Sequence, residues 1–252
     1  MKLKTSSFVI AVTFALTTIL APITGFADDA GKKAAIADLV RAMGYGCGIH
    51  NFKNYVLRGK EKHRNNAATC FADAKKAIAN FRKASASETE TGALQTIEEV
   101  VDAYNSSLVT IAAGVKAGKT AKQIDKLVKI SDAPATNGIK ALQNGHEWSA
   151  SEQAEYVLGY GGAIHQFKNY VLRGDDRYQK AMDKFTAAET ALAPIKDKPA
   201  AKDVLGVIGK YKAELDTVKK MVADGKTAEE IDATVKISDG PATKGLATLR
   251  GQ

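Results

Sequence analysis

The chain has 252 residues, with 36 Lys and Arg against 28 Asp and Glu, five prolines and two cysteines. The surplus of +8 gives a mild attraction to anions, but the lysines are scattered rather than gathered in a patch, which argues against a nucleic-acid partner. After the leader, no run approaches the roughly 18 consecutive apolar residues of a spanning helix, so a membrane-spanning protein is excluded as well.

The first 27 residues read as an address. Lys2 and Lys4 precede an apolar run from Phe8 to Leu20, and Gly25-Phe-Ala27 supplies small residues for cleavage. This pattern predicts a signal peptide over 1–27 and a periplasmic or secreted protein that starts near Asp28. Removing the two leader lysines lowers the formal charge from +8 to +6.

The rest of the chain is a tandem repeat. Gly44–Gly59 (GYGCGIHNFKNYVLRG) returns 115 residues later as Gly159–Gly174 (GYGGAIHQFKNYVLRG), with thirteen of sixteen positions identical. A second block, Gly118–Thr136 (GKTAKQIDKLVKISDAPAT), recurs at Gly225–Thr243 with an offset of 107. Repeat one is assigned to 28–143, a junction to 144–150 and repeat two to 151–252. Each repeat is long enough to bury its own core.

Abundant Ala and Lys, few prolines and no lasting alternation of apolar and polar residues predict an all-α fold. Helices are expected at 30–58, 62–84, 90–117 and 120–142, then at 151–173, 176–193, 199–224 and 227–249. Four helices per repeat with short turns suggest two tandem four-helix-bundle-like repeats. Pro134 and Pro241 kink or break the fourth helices, where Asp132 and Asp239 are placed to cap a second segment. Gly118-Lys-Thr120 resembles the end of a phosphate-binding loop, but that motif needs a glycine at Ala113,. Gly118 and Gly225 are better read as helix stops. Thr120 with Gln123, and Thr227 with Glu230, are read as capping boxes.

The first helix of each repeat carries the unusual residues. At ~100° per residue, Tyr45, Ile49, Phe52 and Val56 form an apolar stripe, and Lys53, Gly46, Leu57, His50 and Asn54 continue the arc beside it. The three positions that differ between repeats, 47, 48 and 51, fall on a predicted solvent face, which also contains Tyr55 and Arg58. Arg58 suits the helix end before Gly59 because a cation complements the helix dipole there. The unchanged arc spans about twice the ~100° that a surface helix buries, and its excess is polar: His50, Lys53 and Asn54, with His165, Lys168 and Asn169 in repeat two. Gly46 and Gly161 leave room beside the histidines for a ligand or another helix.

Both cysteines lie in the exported part. Cys47 is twelve residues before Gly59 and Cys70 eleven after it, so antiparallel helices bring them to one height. A Cys47–Cys70 disulfide is expected.

The run His-x-Phe-Lys-Asn-Tyr-Val-Leu-Arg-Gly after Gly-Tyr-Gly resembles the first helix of helical sensor regions in bacterial methyl-accepting chemotaxis receptors and related membrane signalling proteins. Val128–Ala135 and Val235–Ala242 resemble their closing helix. The resemblance implies an extracytoplasmic four-helix module for a small molecule, often bound between paired first helices. Those receptors continue into a membrane helix and a cytoplasmic domain, whereas this sequence stops at Gln252. The expectation is therefore a soluble ligand-binding protein, one that presents its ligand to a membrane chemoreceptor or sensor kinase. The duplication would supply both paired helices in one chain.

A buried lysine demands a counter-charge, so a small polar or anionic ligand is expected at His50, Lys53, Asn54, His165, Lys168 and Asn169, with Arg58 and Arg173 as secondary candidates. The alternative is a protein-interaction adaptor whose polar arcs bury against a partner or each other. Non-covalent haem held by His50 and His165 is a weaker reading. The histidines have no metal-ligand spacing, no nucleophilic triad is recognisable, and neither a resident cofactor nor an enzyme is expected.

Overall fold

A computed structural model of the chain describes residues 24–143 and 145–251, with side chains from Asp29 onward. The expected signal peptide lies outside the described residues, except for 24–27 at the start of the first helix, as does Asn144 of the junction. Copy one folds as α1 (Thr24–Met43), α2 (Gly48–Arg58), α3 (Glu61–Lys83), α4 (Glu88–Lys116), α5 (Ala121–Leu127) and α6 (Ala133–Gln143). Copy two folds as α7 (Ala150–Leu158), α8 (Ala163–Arg173), α9 (Arg177–Leu192), α10 (Pro199–Ala223), α11 (Ala228–Thr234) and α12 (Gly240–Arg250), with a 3-10 turn over Ala193–Ile195. The fold is all-α, with no strand among the described residues. None of the described helices is long and apolar enough to cross a membrane.

The expected first helices, 30–58 and 151–173, are each broken in two. Gly46 at φ 81° and Gly161 at φ 70° take the left-handed region that glycine enters without a Cβ clash, and the chain turns there. Tyr45 and Gly46 thus lie outside α2, and the helical angles assigned to them do not apply. The two turns touch backbone to backbone, since a Cβ on Gly159 would lie 3.1 Å from Gly44 Cα. A helix rather than a ligand fills the space beside Gly46: a Cβ there would come within 2.8 Å of Thr243 Cγ2 on α12. Gly161 meets Thr136 on α6 in the same way, at 2.7 Å. Gly46→Ala should therefore lower the urea-unfolding free energy by about 1–2 kcal/mol, the cost of a left-handed non-glycine residue, with crowding added.

The fourth helices are broken too. Pro134 and Pro241 sit in the first turns of α6 and α12, where a missing amide costs nothing. Both capping boxes form: Thr120 accepts from the Gln123 amide and Thr227 from the Glu230 amide, with the reciprocal bonds present. Gly118 and Gly225 are left-handed just past α4 and α10. The carboxylates of Asp132 and Asp239 do not cap; they accept from tyrosines, as described below.

The long helices bury one stripe each: Leu94, Ile97, Val101, Tyr104, Leu108 and Ile111 on α4, and Val204, Val207, Ile208, Tyr211, Leu215 and Val218 on α10. Helix α1 packs on α3 and α4 on α6; α7 packs on α9 and α10 on α12. The copies are not independent. Helix α2 meets α8, α11 packs on α2 and α5 on α8, and the buried apolar residues of both copies form one continuous core.

The predicted solvent face of the first helix is also buried. Gly48, Asn51 and Tyr55 are all covered, because α3 lies against that side. Asn51 Oδ1 is 3.2 Å from His63 Nδ1 of α3, and a Cβ on Gly48 would press on the Phe71 ring at 2.8 Å. Burial depresses the His63 pKa to about 4, so its neutral ring donates Nδ1–H to Asn51. The expected disulfide is present: Cys47 and Cys70 are bonded, with Cα atoms 5.6 Å apart, tying the start of α2 to α3.

Candidate functional site

The apolar core aims two tyrosine hydroxyls at the copy interface. Tyr104 is edge-on to Phe52 at 4.8 Å and stacked on Phe71 at 5.9 Å. Tyr211 repeats this with Phe167 at 4.9 Å and Phe185 at 5.4 Å. Tyr104 donates to Asp132, and Tyr211 to Asp239 at 2.6 Å. These aspartates follow the break between the two halves of each fourth helix, which leaves their side chains free to turn inward.

Each aspartate then reaches into the other copy. His50 Nε2 of copy one lies 3.3 Å from Asp239 of copy two, and His165 Nε2 of copy two lies 3.2 Å from Asp132 of copy one. Tyr45 also donates to Asp239, at 2.7 Å, and Tyr160 to the Asp132 carbonyl at 3.4 Å. Burial opposes ionisation of the aspartates, but the imidazoles and tyrosines outweigh it and hold both carboxyls well below the usual range. Burial and then Lys168 lower the His50 pKa against the pull of Asp239, so His50 is neutral at pH 7. In copy two the Gly161 amide donates to His165 Nδ1 at 3.2 Å, which puts the ring proton on Nε2, facing Asp132.

The arginines cross over as well. Arg58 forms a bidentate pair with Asp232 at 2.7 and 2.9 Å, and Arg173 with Asp125 at 2.7 and 3.2 Å. The Glu229 carboxylate of copy two accepts from the Ala121 amide that opens α5, at 2.6 Å. Most of the polar arc is therefore paired from within the chain.

The two lysines break the reciprocity. Lys53 Nζ lies 3.1 Å from Asp125, and burial of that carboxylate is outweighed by Arg173 and Lys53, so Asp125 stays ionised below its usual pKa. Lys168 is not paired with the matching Asp232 and donates instead to Asn54 Oδ1 at 2.7 Å. Burial, only partly offset by Asp239, lowers its pKa to about 8. Three polar atoms nearby, Asn169 Oδ1, His50 Nδ1 and His165 Nε2, are buried without a hydrogen bond, the last although it lies 3.2 Å from Asp132.

Lys168 predicts a pH dependence with a definite sign. At pH values between about 8 and the ordinary 10.5, the unfolded chain binds a proton that the folded chain has released, so stability rises with pH. Below that window both states are protonated and the penalty is constant. Urea unfolding of the parent should gain on Lys168→Met as pH rises from 8 towards 10.5; a difference that stays flat would place the ammonium in water.

The structure thus brings His50, Lys53, Asn54, His165, Lys168 and Asn169 together, and it buries them against each other. The space left between the histidines and lysines is about 10 Å³, room for one water molecule. Neither a haem nor an organic ligand fits there.

No protein-family model, curated protein or solved structure matches this chain. The site is therefore read from its own geometry. Arg173, a secondary candidate from the sequence, lines an open cleft of about 380 Å³ between the copies. The cleft is also lined by Lys122 and Thr120 of copy one and by Lys226, Thr227 and Glu229 of copy two, together with the apolar Val171, Val222 and Ile231. Arg58, the other secondary candidate, is spent on Asp232. Sequence reasoning missed Asp125, Asp232, Tyr104, Tyr211 and the inward use of Asp132 and Asp239. The signal was available, because the second repeated block keeps all four aspartates in place.

Proposed function

We propose that this chain is an exported, sensor-type binding protein that takes a small organic anion in the cleft beside Arg173 and presents it to a membrane chemoreceptor or sensor kinase. One observation carries the reading: the cleft is built from both copies and lined by Lys122, Arg173 and Lys226 against one carboxylate, Glu229, which is engaged by the Ala121 amide. A carboxylate reaching Arg173 would compete with Asp125, whose other partner is the buried Lys53. Occupancy would in this way be felt at the centre of the copy interface. Two features support an anion in particular: Lys122 has no carboxylate partner among the described residues, and Lys226 is held only by an exposed contact with Glu230 at 3.5 Å.

Short mono- and dicarboxylates are the probes. A ligand bound by the folded state alone raises the melting temperature, and this rise should vanish in Lys122→Ala/Lys226→Ala while the ligand-free melting temperature hardly moves, because both lysines are at the surface. The competing adaptor reading draws on the burial of the polar arcs against each other. It predicts no shift with any carboxylate, and that result would overturn the ligand reading.

A further inference from the structure

The two copies differ at one place where the duplication allows a direct comparison. Phe71 on α3 stacks on Tyr104 as Phe185 on α9 stacks on Tyr211, so position 184 of copy two matches position 70 of copy one. Gly162 likewise matches Cys47, and Gln166 matches Asn51. In copy one a disulfide crosses this place, and the groove beside it, along Arg41, Ala42 and Cys47, is smaller, about 220 Å³. Cys47 and Cys70 are bonded, and Asn51 is held against His63 of α3. In copy two it carries Gly162, Lys184 and Gln166, and a pocket of about 380 Å³ opens there.

The pocket is lined by charges of both signs. Asp132 lies in it with its side chain 28% exposed. Lys140 and Lys184 stand on its rim, both exposed and without a carboxylate partner among the described residues. Tyr156 and Tyr160 also line the pocket. A simple anion would face the Asp132 carboxylate, and a simple cation would face two ammoniums. A molecule carrying both charges matches all three groups, and like-charge juxtaposition is the costly arrangement it avoids.

We propose that this pocket, between α6, α7, α8 and α9, binds one small zwitterion per chain, with the ligand ammonium on Asp132 and its oxyanion between Lys140 and Lys184. The site is separate from the cleft beside Arg173 and goes beyond the function proposed above. In copy one the disulfide takes the position of Lys184, so the smaller groove there lacks that ammonium and is not part of the proposed site.

Calorimetric titration of the purified protein with glycine, taurine and phosphoethanolamine tests this, the three differing in whether carboxylate, sulfonate or phosphate supplies the oxyanion. At least one should bind at about one per chain and at millimolar concentration or below, a range that calorimetry reads directly. Lys140→Glu and Lys184→Glu should each weaken that binding by about tenfold or more, the effect of reversing a charge near a bound one. Both residues are exposed, so helicity and melting temperature should stay as in the parent. Lys122→Glu, in the other cleft, should leave zwitterion binding unchanged. The deciding titrations are done in Lys122→Ala/Lys226→Ala, which lacks the lysines of the other cleft. The proposal is overturned if none of the three binds, if two bind per chain, if adding Lys184→Glu leaves binding as tight, or if acetate or ethylamine binds as well as the zwitterions.

Discussion

Asp125→Ala should lower the unfolding free energy by about 3–5 kcal/mol, the usual loss when one partner of a buried ion pair is removed. Asp125 is 4% exposed and Lys53 3%, so the lysine would be left as an uncompensated charge with only a distant aspartate, Asp132, to attract it. Arg173 loses its bidentate partner in the same variant. Asp232→Ala is the control, because its partner Arg58 is 36% exposed on its side chain and water can take over. That variant should cost about 1 kcal/mol or less, as exposed pairs do. Urea unfolding of both variants gives the comparison; equal losses would mean that Lys53 reaches solvent.

Removing the Cys47–Cys70 bond is expected to have the next largest effect. The cysteines are 23 residues apart, and closing a loop of that size is worth about 3 kcal/mol in the chain-entropy account. Cys47→Ala/Cys70→Ala should be destabilised by that amount in urea unfolding. Denatured, unreduced parent protein should show no free thiol on labelling, and two labelled thiols per chain would remove the basis for the prediction. The change should be felt at α2 first, since the bond holds the start of that helix on α3.

The all-α class, the capping boxes and the disulfide were legible because each rests on local chemistry: periodic burial, a hydroxyl three residues before a Gln or Glu, two cysteines at one height. The breaks at Gly44–Cys47 and Gly159–Gly162 were not, because a glycine in a helical pattern does not announce a left-handed turn until something packs against it. Here that something is Thr243 or Thr136 from the other copy. The candidate site was half legible. The periodicity marked His50, Lys53, Asn54 and their counterparts as unusual; Lys53 has a counter-charge in Asp125, whereas Lys168 meets only Asn54. The source of that charge was not legible, because Asp125 is 72 residues from Lys53 and Asp239 is 194 residues from Tyr45. Nothing in the spacing connects groups so far apart in the chain.

The crossed contacts have a consequence for symmetry. Each copy holds both members of two kinds of crossed pair, histidine with aspartate and arginine with aspartate. Two separate molecules of a single copy would satisfy all of them twice, as an isologous pair does, each patch meeting its own image. Within such a pair any change appears on both sides at once. A covalent tandem removes that constraint, and the differences between the halves are of the kind a symmetric pair cannot have: a disulfide on one side only, Lys168 against Asn54 with no mirror contact, and two pockets of unequal size and lining.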